Sequence, residues 1–179
     1  MSHFKKFTPE ETDLIVSLAY RAGYWISHVE DLDKTKRDDK WEAAAMDKAI
    51  RRIARQHLRG SFAGEVMTKV DKGRIHWTSW QVKAKEPHVL GDIQKAKDII
   101  LKHLSKKELK NYKQVLWYMG LVVAQAFGED EDPDQEMHFN NVMKGIKEAL
   151  FPAKLAATPE NMSTNEKEAL KKLRAALKG

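Results

Sequence analysis

Thr8-Pro9-Glu10-Glu11-Thr12-Asp13-Leu14-Ile15-Val16-Ser17-Leu18-Ala19-Tyr20-Arg21-Ala22-Gly23-Tyr24-Trp25-Ile26-Ser27-His28-Val29 is the stretch that decides the fold class. It opens as a complete helix start: a hydroxyl at Thr8 to cap, proline at the first helical position, and Glu11 at the third to return a hydrogen bond. Leu14, Ile15, Leu18, Ala19, Ala22, Trp25, Ile26 and Val29 then recur at spacings that wind into one apolar stripe. That is the pattern of a helix facing a core.

The same grammar repeats outward from there. Asp38 or Asp39 stands where a cap is needed for a second helix, with Trp41, Ala44, Ala45, Ala49 and Ile53 on or near its buried side. Lys48, Arg51, Arg52 and Arg55 gather at its far end, where the helix dipole favours cations. After the Gly60-Ser61 break, Phe62, Val66, Met67 and Val70 predict a short helix closing near Lys72-Gly73. Residues 74–83 fit either a short extended ribbon or a helix started by Thr78, because so few residues carry no decisive period. Pro87 restarts helix, and Val89, Leu90, Ile93, Ala96, Ile100, Leu101 and Leu104 form its stripe.

Ser105 and Glu108 make a further capping box. The helix they open is apolar nearly all round from Val115 to Phe127 and therefore has to be central. Asp132-Pro133-Asp134 caps another, with Met137, Val142, Met143, Ile146 and Leu150 on its stripe, and Pro152 ends it. Ser163 with Glu166 caps the last, which bears Leu170, Leu173 and Leu177. The expectation is an all-α bundle of about seven helices. Residues 1–152 form the bundle, with the outline of an internal two-fold repeat (halves 9–72 and 87–151). Residues 153–179 are a linker and a C-terminal helix on or beside it.

Composition removes whole classes of function. The 179 residues include no cysteine, so disulfides, thiolate metal sites and cysteine nucleophiles are excluded. The seven histidines match neither His-Glu-x-x-His nor the Glu-x-x-His spacing of di-iron bundles. There is no phosphate loop and no nucleophile elbow, so the reading is non-enzymatic. The longest apolar run, residues 115–127, falls short of the roughly 20 residues a membrane span needs. The first residues lack the apolar core of a signal peptide, which predicts a cytoplasmic location. A net charge of +6 suits an acidic partner, although lysines scattered over solvated helix faces give the same total.

Against that basic background stand two acidic elbows. Glu30-Asp31-Leu32-Asp33, followed by Asp38-Asp39, comes after the first helix; Glu129-Asp130-Glu131-Asp132-Pro133-Asp134 comes after the central one. Crowded carboxylates repel, and a hard divalent cation, Ca²⁺ or Mg²⁺, or a basic protein partner relieves that repulsion. Asp31, Asp33, Asp39 and Glu42 fall on a calcium-loop template, but Lys36 occupies its glycine position. Glu129, Asp130 and Asp132 form the second candidate set, with helix capping as the plainer role of Asp132. A separate candidate is the basic, tryptophan-bearing run of Lys72, Arg74, Trp77, Trp80 and Lys83. It suits nucleic acid or, together with the C-terminal helix, an anionic membrane surface. The plainer reading is a pair of indoles anchoring an irregular connection.

The layout of residues 14–33 leading into 41–53, and of 115–134 leading into 137–150, resembles the tellurite-resistance TerB-like family. These are small all-helical proteins of two similar halves with acids clustered after the first helix of each. The resemblance is architectural and covers most of the chain, with residues 60–88 departing from it. It implies divalent-cation binding at Asp31, Asp33, Glu129, Asp130 and Asp132, and a role in stress response, often in membrane-linked assemblies.

Overall fold

The computed structural model describes residues 2–29, 36–54, 60–125 and 162–179, and every regular element among them is helical. In chain order these are α1 (Pro9–Ser27), α2 (Lys36–Arg52), α3 (Phe62–Lys72), α4 (Trp77–Val82), α5 (Glu86–His103), α6 (Lys106–Gln125) and α7 (Thr164–Lys178). Two 3₁₀ turns, His3–Lys6 and Arg74–His76, precede α1 and α4.

Helix α1 begins with the capping box its sequence announces: Thr8 Oγ1 accepts from Glu11 N–H at 3.2 Å, and Glu11 accepts from Thr8 N–H at 2.9 Å. It is not a one-striped helix, however. From Ile15 to Ser27 only Tyr24 escapes full burial, because α1 packs against every other described helix. It shares the centre with α6, which is buried continuously from Val115 to Gly120, as its apolar run requires.

The two central helices run parallel. Tyr112 donates to the Ile15 carbonyl at 2.9 Å, whereas towards the other end Gly23 faces Met119 and Val123 and Ile26 reaches Gly120. Helix α5 lies antiparallel to α1, pairing Asp92 with Arg21 and His103 with Phe7. Close approach of α1, α6 and α7 depends on Gly120. A Cβ there would lie 2.8 Å from Leu173 Cδ2 and 3.4 Å from Ile26 Cγ1.

Several local expectations shift. Helix α2 starts at Lys36, so Asp38 and Asp39 lie inside its first turns instead of capping it. Its buried side is Met46, Ala49, Ile50 and Ile53; Ala44, expected on that side, is exposed. Leu101 of α5 is likewise 46 % exposed. The Ser105 cap holds only one half of its box. Ser105 Oγ accepts from Glu108 N–H, but the Glu108 carboxylate crosses to α3 and accepts from Phe62 N–H at 2.9 Å. Helix α3 therefore has two caps, the second being the Ser61 hydroxyl on Gly64 N–H.

Helix α7 begins with the Ser163–Glu166 box and buries Leu170, Leu173 and Leu177 against the bundle. Lys172 pairs with Glu86, and Lys97 donates to the Ala176 carbonyl. The later parts of the expected second half, including the helix stripe from Met137 to Leu150, lie outside the described residues.

Candidate functional site

The described structure brings the last described residues of α1 and α6, which precede the two acidic elbows in sequence, to one end of the bundle. Gly23 meets Val123 across the α1–α6 interface. Four residues of α1 remain beyond that contact, and two of α6. At about 1.5 Å of rise per residue, the last described residues of the two helices lie within about one turn of each other along the bundle. The C-terminus of α1, with its negative dipole end, therefore lies beside the last described turn of α6. The acid run of the first elbow starts three residues after Ser27, and that of the second four residues after Gln125. Asp31, Asp33, Glu129, Asp130 and Asp132 themselves lie outside the described residues.

Asp39 and Glu42 fall within α2, and their side chains are outside the described set. The helical start at Lys36 does bear on the calcium-loop template. Positions six to twelve of that template, counted from Asp31, are already helix, whereas an EF-hand needs a sharp turn at six and a loop carbonyl at seven. The EF-hand reading of Asp31 to Glu42 therefore does not fit. Among the described residues no group of three or more His, Asp or Glu side chains is arranged to hold a metal ion.

His28 closes α1 at the mouth of the first elbow. Its Nδ1 lies 3.0 Å from the Tyr24 carbonyl and 2.6 Å from Ser27 Oγ, and the Ser27 hydroxyl itself donates to that same carbonyl. The ring is further fixed by stacking on Tyr24 at 3.9 Å. Nδ1 is thus engaged within α1 itself, where the helix meets the first acidic run in sequence.

The basic tryptophan segment is a 3₁₀ turn running directly into α4, which begins at Trp77 with no side-chain cap, so Thr78 does not start it. Its indoles turn inward. Trp80 is 6 % exposed, Trp77 Nε1 donates to the Val70 carbonyl at 3.1 Å, and both rings pack on Tyr20. Arg74 is held by Asp47 and Asp71 and lies over the Trp77 ring at 4.6 Å. Of the five candidate residues, Lys72 and Lys83 remain exposed without an ion-pair partner among the described residues. The anchoring role weighed for the two indoles is the one their contacts display.

A site the sequence reading missed sits on α1 itself. Arg21, 1 % exposed, donates to the Lys83 carbonyl through Nε and Nη2, at 3.2 and 2.9 Å, and to Asp92 at 2.8 Å. Burial pushes the Asp92 carboxyl upward, but hydrogen bonds from Arg21 and Lys95 outweigh it and hold the group below the usual carboxylate range. This pair borders an open groove of about 470 Å³ that also touches Glu10, Asp13, Ser17 and Lys83. The signal was available: a lone arginine inside an otherwise apolar helix that is buried all round must have a partner. The groove has no nucleophile paired with a base, and the arginine's contacts are those of a strut.

Comparison with known proteins returned no match, whether to a protein-family model, a curated protein or a solved structure. No described helix is long and apolar enough to cross a membrane.

Proposed function

We propose that this chain is a non-enzymatic, TerB-like helical protein whose two acidic elbows act together to bind a divalent cation or the basic surface of a partner. The observation that carries this is the parallel pairing of α1 and α6. It sets the negative C-terminal end of α1 beside the last described turn of α6, and in sequence each helix is followed within four residues by carboxylates, three in the first run and five in the second. Such a concentration of negative charge favours any counter-charge that can reach both runs. The position of His28 at the end of α1, two residues before the first acidic run, supports including imidazole-binding ions beside Ca²⁺ and Mg²⁺.

Thermal melting of the full chain in the presence of Ca²⁺, Mg²⁺, Mn²⁺ or Zn²⁺ tests the cation form. An ion at a hundredfold over its dissociation constant stabilises the folded state by about 2.7 kcal/mol, a shift of several degrees. Neutralising either elbow alone, Asp31→Asn with Asp33→Asn or Asp130→Asn with Asp132→Asn, should abolish the shift. If no ion raises Tm at millimolar concentration, cation binding is refuted and only the basic partner survives.

A further inference from the structure

Two aliphatic side chains stand out of the molecule on the connection between α3 and α5: Ile75 is 86 % exposed and Val82 is 72 % exposed. They belong to one helical path, the turn Arg74–His76 continued by α4. Seven residues make nearly two full turns, so Ile75, Thr78, Ser79 and Val82 share a face, and all four are exposed. The opposite face, with Trp77, Trp80 and Ala84, is fixed to the bundle, and Gln81 on it donates to the Tyr20 hydroxyl. The outward face is therefore presented by a segment that is itself firmly anchored.

Its charge is one-sided. Lys72, Lys83 and Lys85 flank it, all exposed and none in an ion pair among the described residues. The neighbouring carboxylates are already engaged, Asp71 by Arg74 and Glu86 by Lys172. Protruding aliphatics with exposed lysines close by in sequence match a surface that is anionic outside and apolar just beneath.

We propose that this face docks on an anionic bilayer, Ile75 and Val82 entering the boundary between headgroups and acyl chains while Lys72, Lys83 and Lys85 meet the lipid charges. Nucleic acid fits less well. Bases stack on aromatic rings, and both indoles of this segment face the core. Branched aliphatics gain only by leaving water. Helix α7 takes no part through its leucines, which are covered by the bundle. The docking face is independent of the acidic elbows.

The test is flotation of the full chain with vesicles of phosphatidylcholine alone or mixed with phosphatidylserine, with a single-stranded oligonucleotide as a separate arm. The chain should float with the mixed vesicles only, and added salt should release it. Ile75→Ser with Val82→Ser should weaken binding about tenfold, and Lys72→Gln, Lys83→Gln and Lys85→Gln about fivefold each. All five positions are exposed, and an unchanged melt certifies the fold of each variant. Failure to float with mixed vesicles overturns the proposal. So does flotation that the serine variants leave intact, or preferential capture of the oligonucleotide.

Discussion

Arg21, itself 1 % exposed, places a full charge among the buried side chains of α1, and among the described residues its cost is offset by Asp92 and one backbone carbonyl. Removing the partner charge of a buried pair costs about 3–5 kcal/mol. The retained Lys83 carbonyl sets the expectation for Asp92→Asn at about 3 kcal/mol, read as a lower urea midpoint with an unchanged slope. The same residue governs part of the acid response. In Asp47, Glu65 and Asp92, burial raises the carboxyl but hydrogen-bonding partners prevail and leave it lowered. A carboxylate lowered on folding contributes stability that is complete above the unfolded value, near pH 4, and is lost as pH falls through the folded value. Urea midpoints should therefore decline below about pH 4, and the decline should be shallower in Asp92→Asn.

Among the helices, the glycine in α6 sets how closely the central layer can pack. Alanine at Gly120 would gain about 1 kcal/mol of helix propensity. It would also drive a methyl group against Leu173, which is fully buried, and overpacking costs about 1–3 kcal/mol. Gly120→Ala should lower Tm by a few degrees; an unchanged or higher Tm would mean that α7 gives way freely. What the sequence discloses follows the range of the interactions. The Thr8 and Ser163 boxes are legible because both partners lie three residues apart. Glu108 carries the same local signal, yet its carboxylate answers Phe62 on another helix, a choice settled by packing. For the same reason the partner of Arg21 was not legible, since Asp92 lies 71 residues away in the chain, whereas the anchoring of the two indoles was, because their area alone favours burial. On α2, Ala49 and Ile53 are buried as expected but Ala44 is exposed, because an alanine suits a buried or a solvated face equally.

At the scale of the whole molecule, the proposed function rests on direction. Helices α1 and α6 run parallel, so their last described residues point to the same end of the bundle. On the proposed reading, the acidic runs that follow them in sequence share that end of a chain of net charge +6. The all-helical architecture was readable from periodicity, but this direction was not, since it follows from the antiparallel α5 lying between the two helices in sequence. Because the chain contains no cysteine, a single pair can be introduced and spin-labelled without background. The most direct measurement is the electron–electron distance between labels at Lys34→Cys and Gly128→Cys, with and without the ion that raises Tm most. Packed helices lie about 8–10 Å apart, so the account predicts a distribution that narrows and shortens towards about 20 Å when the ion is added. A broad distribution unmoved by any divalent ion would contradict it.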